Sequence, residues 1–154
     1  MRERLGLPLL AKDTIKESLG GALGIEGRAR SQRLGGAVFD LLGLLVGELL
    51  AAGVSVIAEG NFTGETRFLR DLPPVRVVQV HVSAPPAVLR ARLLERDTHH
   101  HPVHYDREAA EEIADRAAGG EWNALPLDGV LLRVETEPFP VVAEVVELVA
   151  RAAS

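Results

Sequence analysis

The stretch Gly53-Val54-Ser55-Val56-Ile57-Ala58-Glu59-Gly60-Asn61-Phe62 decides how this chain is read. A short apolar run, opened by glycine, hands an acid to its C-terminal end and then turns through a second glycine. Runs of this length and bounding read as buried strands of a parallel sheet. Nearer the start, Leu7-Pro8-Leu9-Leu10-Ala11 repeats the pattern and is followed by Lys12-Asp13. In open α/β sheets, ligands sit outside the carboxyl ends of the strands, where loops meet helix N-termini. Asp13 and Glu59 are therefore expected on one rim.

Working outward, Asp13 is placed to cap a helix reaching about Leu19, ended by Gly20-Gly21. Gly24 to Arg30 reads as a loop, and Ser31 opens a long helix to Ala52 with Leu34, Val38, Leu41, Leu45 and Leu49 on its core stripe. Gly53 closes it. A helix is expected over Glu65–Asp71, stopped by Pro73-Pro74. The valines of Arg76–Val82 predict a strand buried on both faces. Pro85-Pro86 starts a helix to Asp97, and Asp106 caps another to Ala118. A strand over Gly129–Glu135 and a helix after Pro138 and Pro140, with Val142, Val145, Val146 and Val149 on one side, complete the chain. The order β-α-α-β-α-β-α-α-β-α predicts a parallel sheet with helices on both faces.

At 154 residues the chain is long enough for one domain with a real core. A net charge of −5 argues against general nucleic-acid binding, which needs a basic face. There is no cysteine, hence no disulfide, thiolate metal site or cysteine nucleophile; a reducing cytoplasm is the expected location. The apolar stretch from Leu41 to Val54 is interrupted by Gly43, Gly47, Glu48 and Gly53 and is not expected to span a membrane. Neither a signal core nor a repeat is present.

Candidate chemistry concentrates on the rim. Asp13 is either an ordinary helix cap or the carboxylate that orients or deprotonates a hydroxyl. Glu59 binds a hydroxyl, holds metal-bound water, or caps the next turn, with Asn61 as its neighbour. Lys12 is either a solvated lysine or a substrate contact. Arg92 and Arg96 lie four apart on one helical face, from which guanidinium forks can clamp phosphate oxygens. His99, His100, His101 and His104 do not have the spacing of a metal site, so no metal ligand is assigned. Trp122 reads as packing for a loop.

Leu5-Gly6-Leu7-Pro8-Leu9-Leu10-Ala11-Lys12-Asp13-Thr14-Ile15-Lys16-Glu17, Gly53 to Phe62, and Arg92 to Arg96 leading into His101-Pro102-Val103-His104-Tyr105-Asp106 together resemble the P-loop kinase family of zeta toxin and chloramphenicol phosphotransferase, with its many bacterial ATP-binding relatives. The resemblance reaches to about Thr136. It implies a nucleotide-kinase-like P-loop NTPase fold in a single domain over 1–154, with a lid-like loop at 98–106. It also implies transfer of the γ-phosphoryl group of ATP, with Mg²⁺, to the hydroxyl of a small molecule. On that mapping Asp13 is catalytic, Glu59, Asn61 and Lys12 bind the acceptor, and Arg92 and Arg96 hold ATP phosphates. Family members often carry Arg where His100 stands and Gly where Val103 stands. They also begin with a strand and G-x-x-x-x-G-K-[ST], which this sequence lacks, since neither Lys12 nor Lys16 follows a glycine. Met1–Leu5 resembles the tail of the helix after that loop, so the expectation is an N-terminally truncated kinase, inactive as it stands. The rival readings are a degenerate binding module that kept the fold, and a nucleotide hydrolase.

Overall fold

The computed structural model describes residues 2–95, 101–105 and 107–153. A short helix α1 (Arg2–Leu5) leads into strand β1 (Leu9–Ala11), helix α2 (Lys12–Leu23) and the long helix α3 (Arg28–Ala51). Strand β2 (Ile57–Glu59) and a 3-10 turn (Arg67–Leu69) follow. The second half runs β3 (Val78–Ser83), α4 (Pro86–Glu95), α5 (Ala110–Ala118), β4 (Val130–Glu135) and α6 (Val142–Ala153). The expected alternation of strands and helices is present, and every described ladder is parallel.

The strands pair two and two. β1 lies beside β2 in the register Leu9 with Ile57, Leu10 with Ala58 and Ala11 with Glu59. β3 lies beside β4 from Val78 with Val130 to Ser83 with Glu135. Among the described residues no ladder joins the two pairs, so the parallel strands form two two-stranded sheets, a division of the kind expected of a sheet whose central strand is missing.

Helix boundaries depart from expectation for identifiable reasons. α2 starts two residues earlier, with Ala11 at the cap position and Asp13 inside the first turn making no capping bond. It also runs through Gly20-Gly21 and ends at Gly24, whose φ of 59° is left-handed. Gly20 is in the helix because nothing larger fits: a Cβ there would lie 2.6 Å from Cγ2 of Val103. α3 starts at Arg28 rather than Ser31, and Arg28 pairs with Glu112 of α5. Its buried row is Ser31, Leu34, Val38, Leu42 and Val46, not the Leu41-Leu45-Leu49 continuation expected. The i+4 repeat from Leu34 keeps one face on α2, while Leu44 is 60% exposed. By length and composition α3 is long enough to cross a membrane; here Val38 and Leu42 on its inner face are fully buried. Gly53, with φ 73°, turns the chain out of it as expected.

Three expected elements are shorter. Pro8 has no N–H, so β1 forms only from Leu9, although Pro8 still accepts a bond from the Ile57 amide at 2.9 Å. The helix expected over Glu65–Asp71 is one 3-10 turn. β3 is not buried on both faces: Val82 is exposed, because α6 covers β3 and β4 from one side. The cap assigned to Asp106 lies outside the described residues.

The core sits between α2 and α3. Leu34, Val38 and Val103 form its centre, with Ile15, Leu19 and Ile25 packed around them. Val103 comes from the 101–105 segment, which plugs the groove between the two helices. α6 ties the halves together at the other end by packing on α1 as well as on β3 and β4.

Candidate functional site

The site grows from the junction of β1 and α2. Because Ala11 pairs with Glu59, the first turn of α2 stands beside the end of β2. Lys12 and Asp13 fall in that turn, and the Lys12 Nζ lies 2.7 Å from Oδ1 of Asp13. The Lys12 side chain is only 13% exposed. Its ammonium also stands 5.8 Å from the centre of the Phe39 ring, a cation–π distance. Gly60 lets the two strand ends approach: a Cβ there would meet Lys12 Cβ at 3.2 Å.

The two carboxylates of this junction are pushed apart. Burial would raise the Asp13 pKa, but the hydrogen bond and charge of Lys12, together with the charges of His104 and Lys16, lower it below its ordinary value. Glu59 is raised, first by burial and then by the charge of Asp13, against the opposing pull of Lys12. At neutral pH Asp13 is therefore a firmly ionised acceptor for a hydroxyl hydrogen bond, while Glu59 holds a proton more readily.

A second group of contacts fastens the 101–105 segment over α2 and α3. His104 Nε2 is 3.0 Å from Oε1 of Glu17, and its side chain is 6% exposed. Ser31 Oγ donates to the Val103 carbonyl at 2.6 Å. The Gly27 amide donates to the Tyr105 hydroxyl at 2.7 Å. Of the lid-like loop expected at 98–106, only this closed-down part is described. His99, His100 and Arg96 lie outside the described residues.

Beside the junction opens a cleft of about 960 Å³. Lys12 and Lys16 from α2, Phe39 and Asp40 from α3, Asn61 after β2, and Trp122 from the loop before β4 all line it. Of the residues singled out from sequence, the structure thus brings Lys12 and Asn61 into the cleft wall. Asp13 and Glu59 adjoin it through Lys12 without being in that wall. Arg92 is elsewhere: its guanidinium donates to Thr136 Oγ1 at 2.9 Å and the Thr136 carbonyl at 2.7 Å, and it pairs with Glu137. It also stands 4.3 Å from the Phe139 ring centre. These bonds tie α4 to the segment after β4.

One contributor was not singled out, and another was given a different role. Lys16 is buried and lines the cleft; the signal was available, since Lys12 and Lys16 are the chain's only lysines and stand one helical turn apart. Trp122, expected as loop packing, is a cleft wall. Arg116 lies 5.0 Å from its ring centre, and its Nε1 is buried with no hydrogen-bond partner among the described residues.

No family model matches the chain, and no curated protein matches it significantly. Among solved structures it is similar to a Chloroflexus aurantiacus protein described as a "putative kinase", with a TM-score of 0.82 and 29% sequence identity. The match covers 99% of this chain and 88% of that one. With parallel strands, interleaved helices and a cleft at the strand ends, the chain has a kinase-like α/β fold.

Proposed function

We propose that this chain binds a hydroxyl-bearing small molecule in the cleft and presents it for phosphoryl transfer, within a P-loop-type kinase fold. The observation that carries this reading is Asp13: an ionised carboxylate at the end of β1, held by Lys12 and adjoining an open cleft. Phosphoryl transfer asks little covalent work of the protein, so a carboxylate that orients the hydroxyl suffices on the acceptor side. The low pKa of Asp13 suits orientation better than strong proton abstraction. Glu59 and Asn61 complete the acceptor contacts.

ATP with Mg²⁺ is the phosphoryl donor this reading expects, and the residues of this chain do not fit its triphosphate. No Gly-x-x-x-x-Gly-Lys-Ser/Thr loop occurs in the 154 residues, and Arg92 is committed to Thr136 and Glu137. The divided sheet supports one further parallel strand, carrying such a loop, joining β1–β2 to β3–β4. The 154 residues alone are expected to transfer phosphate negligibly.

The test is a transfer assay with radiolabelled ATP, Mg²⁺ and a panel of hydroxylated small molecules. It is run on the 16.5 kDa chain and on the polypeptide purified from its own cells, whose intact mass is measured. Label should pass to an acceptor only with a polypeptide heavier than 16.5 kDa. There Asp13→Asn should lower the rate by about 10- to 100-fold, the scale of a lost charge-assisted hydrogen bond of about 1.5–3 kcal/mol. Nucleotide hydrolysis without a phosphorylated product, or transfer untouched by Asp13→Asn, would overturn the proposal. A native mass of 16.5 kDa with acceptor binding and no transfer would favour the binding-module reading.

A further inference from the structure

We infer that the acceptor carries a ring and lays one face of it against the cleft wall formed by Phe39, Phe68 and Trp122. This rests on the phosphotransfer reading and adds a substrate class to it. The chain is poor in aromatic residues, with four Phe, one Trp and one Tyr. None of them is spent on the core: among the described residues every buried hydrophobic position is Leu, Val or Ala. Three of the six rings instead line one cleft, and a fourth, Phe62, stands 5.9 Å from the centres of both Phe39 and Phe68. Large rings contribute most to a fold when fully buried. Left half-buried on a concave wall, they are the surface that small-molecule pockets use. Packing of the 61–73 segment on α3 accounts for Phe62 and Phe68 against Phe39. It does not account for Trp122, which reaches the same cleft from the loop before β4. Arg116, held by Glu112 and Glu121, lies 5.0 Å from the Trp122 ring centre and steadies the indole.

The aromatic wall begins at the carboxylate junction. Lys12, paired with Asp13, has its ammonium 5.8 Å from the Phe39 ring centre. A Cβ on Gly60, the neighbour of Glu59, would lie 3.5 Å from both Phe39 and Phe62. A ring resting on Phe39 thus holds its substituents beside the carboxylate proposed to orient a hydroxyl. The volume of about 960 Å³ has room for a substituted ring. Charge is not what the wall sorts: Arg67 and Arg116 line it as well as Asp40, Glu65 and Asp71, and Lys12 is already paired. The shared recognition element is a flat apolar ring face, whether of an aromatic ring or of a sugar.

The test needs no turnover, because Trp122 is the chain's only tryptophan and its emission reports on the cleft. Benzyl alcohol, methyl glucoside and the open-chain polyol sorbitol are titrated separately into the full chain. A saturable change in emission is expected with at least one ring compound and none with sorbitol; benzyl alcohol alone identifies an aromatic acceptor, the glucoside alone a sugar. Backbone amide shifts followed by NMR should move around Phe39, Phe68 and Trp122. Phe39→Leu should weaken the binding about two- to tenfold, the worth of one aromatic pair. Phe139→Leu, which changes an exposed ring outside the cleft, should leave it unchanged, and circular dichroism checks that both variants fold. No saturable change with either ring compound, equal binding of sorbitol, or amide shifts confined to other parts of the chain would overturn the inference. So would binding untouched by Phe39→Leu, or displacement of the ring compound by Mg-ATP, since the wall would then hold the donor's base. Transfer to an open-chain acceptor, undiminished by Phe39→Leu, would sink this inference and leave the phosphotransfer reading standing. Ring binding lost in Phe39→Leu, with no phosphorylated product from the heavier polypeptide, would do the reverse.

Discussion

Glu59 ends β2 and Asp13 lies just past the end of β1, near enough for charge to act between them, and their opposite shifts give opposite pH dependences. The folded protein holds the Glu59 proton to higher pH than the unfolded chain does. Stability therefore falls as pH rises through that interval, and at neutral pH the fold carries the cost of an ionised Glu59. Glu59→Gln is expected to be more stable than the parent at pH 7, by under about 1 kcal/mol because the group is half exposed. The difference should vanish once the solution is acidic enough to protonate Glu59 in both states. Asp13 runs the other way. Its lowered pKa contributes stability above the unfolded value, lost as pH falls toward the folded one. Asp13→Asn should be less stable at pH 7 and equal to the parent in strong acid. Thermal melts from about pH 3 to pH 7 check both signs; parallel curves for the two variants would contradict the assignment.

At the scale of elements, α3 carries four glycines that do different work. A Cβ on Gly43 would fall 2.7 Å from Phe68 Cβ and 2.9 Å from its Cγ, so this glycine sets how closely the 3-10 turn rests on the helix. A Cβ on Gly47, one turn on, would meet nothing within 4 Å. Gly47→Ala should therefore stabilise the protein by about 0.5–1 kcal/mol, the helix-propensity gain alone. Gly43→Ala should destabilise it by about 1–3 kcal/mol through forced displacement of Phe68. Urea denaturation of the two variants side by side decides the matter. The same contrast marks what sequence reading could reach. Alternating strands and helices were legible from apolar runs punctuated by glycine and proline, and so was the rim position of Asp13 and Glu59. The long-range contacts were not. Gly20-Gly21 reads as a helix stop until Val103, 83 residues on, is seen pressing against it. The Arg92–Arg96 pair reads as a phosphate clamp until Thr136 and Glu137 are found holding Arg92. Lys16 was hidden differently, since periodicity places a charged residue outside by default.

For the molecule as a whole, the connections between the halves among the described residues include the 101–105 plug with its Glu17, Gly27 and Ser31 bonds, the Arg28–Glu112 and Arg4–Glu147 pairs, and α6 on α1, while no ladder joins them. Segments that share no ladder can open separately. Native-state hydrogen exchange should find the inner face of α3 around Val38 and Leu42 slowest, with β1–β2 and β3–β4 opening at different denaturant concentrations. One common opening free energy for both ladders would show the halves to be a single cooperative unit.

The divided sheet has a last consequence, for the protein in a tube. Four strands in one sheet would leave two outer edges; two pairs leave four, so every described strand is an edge strand. Each edge is a row of amides and carbonyls that any extended apolar segment can zip onto. Protein concentration thus becomes a variable of the fold itself. Dilute samples should stay clear, and crowded ones should thicken into strand-swapped assemblies that a short complementary peptide can dissolve.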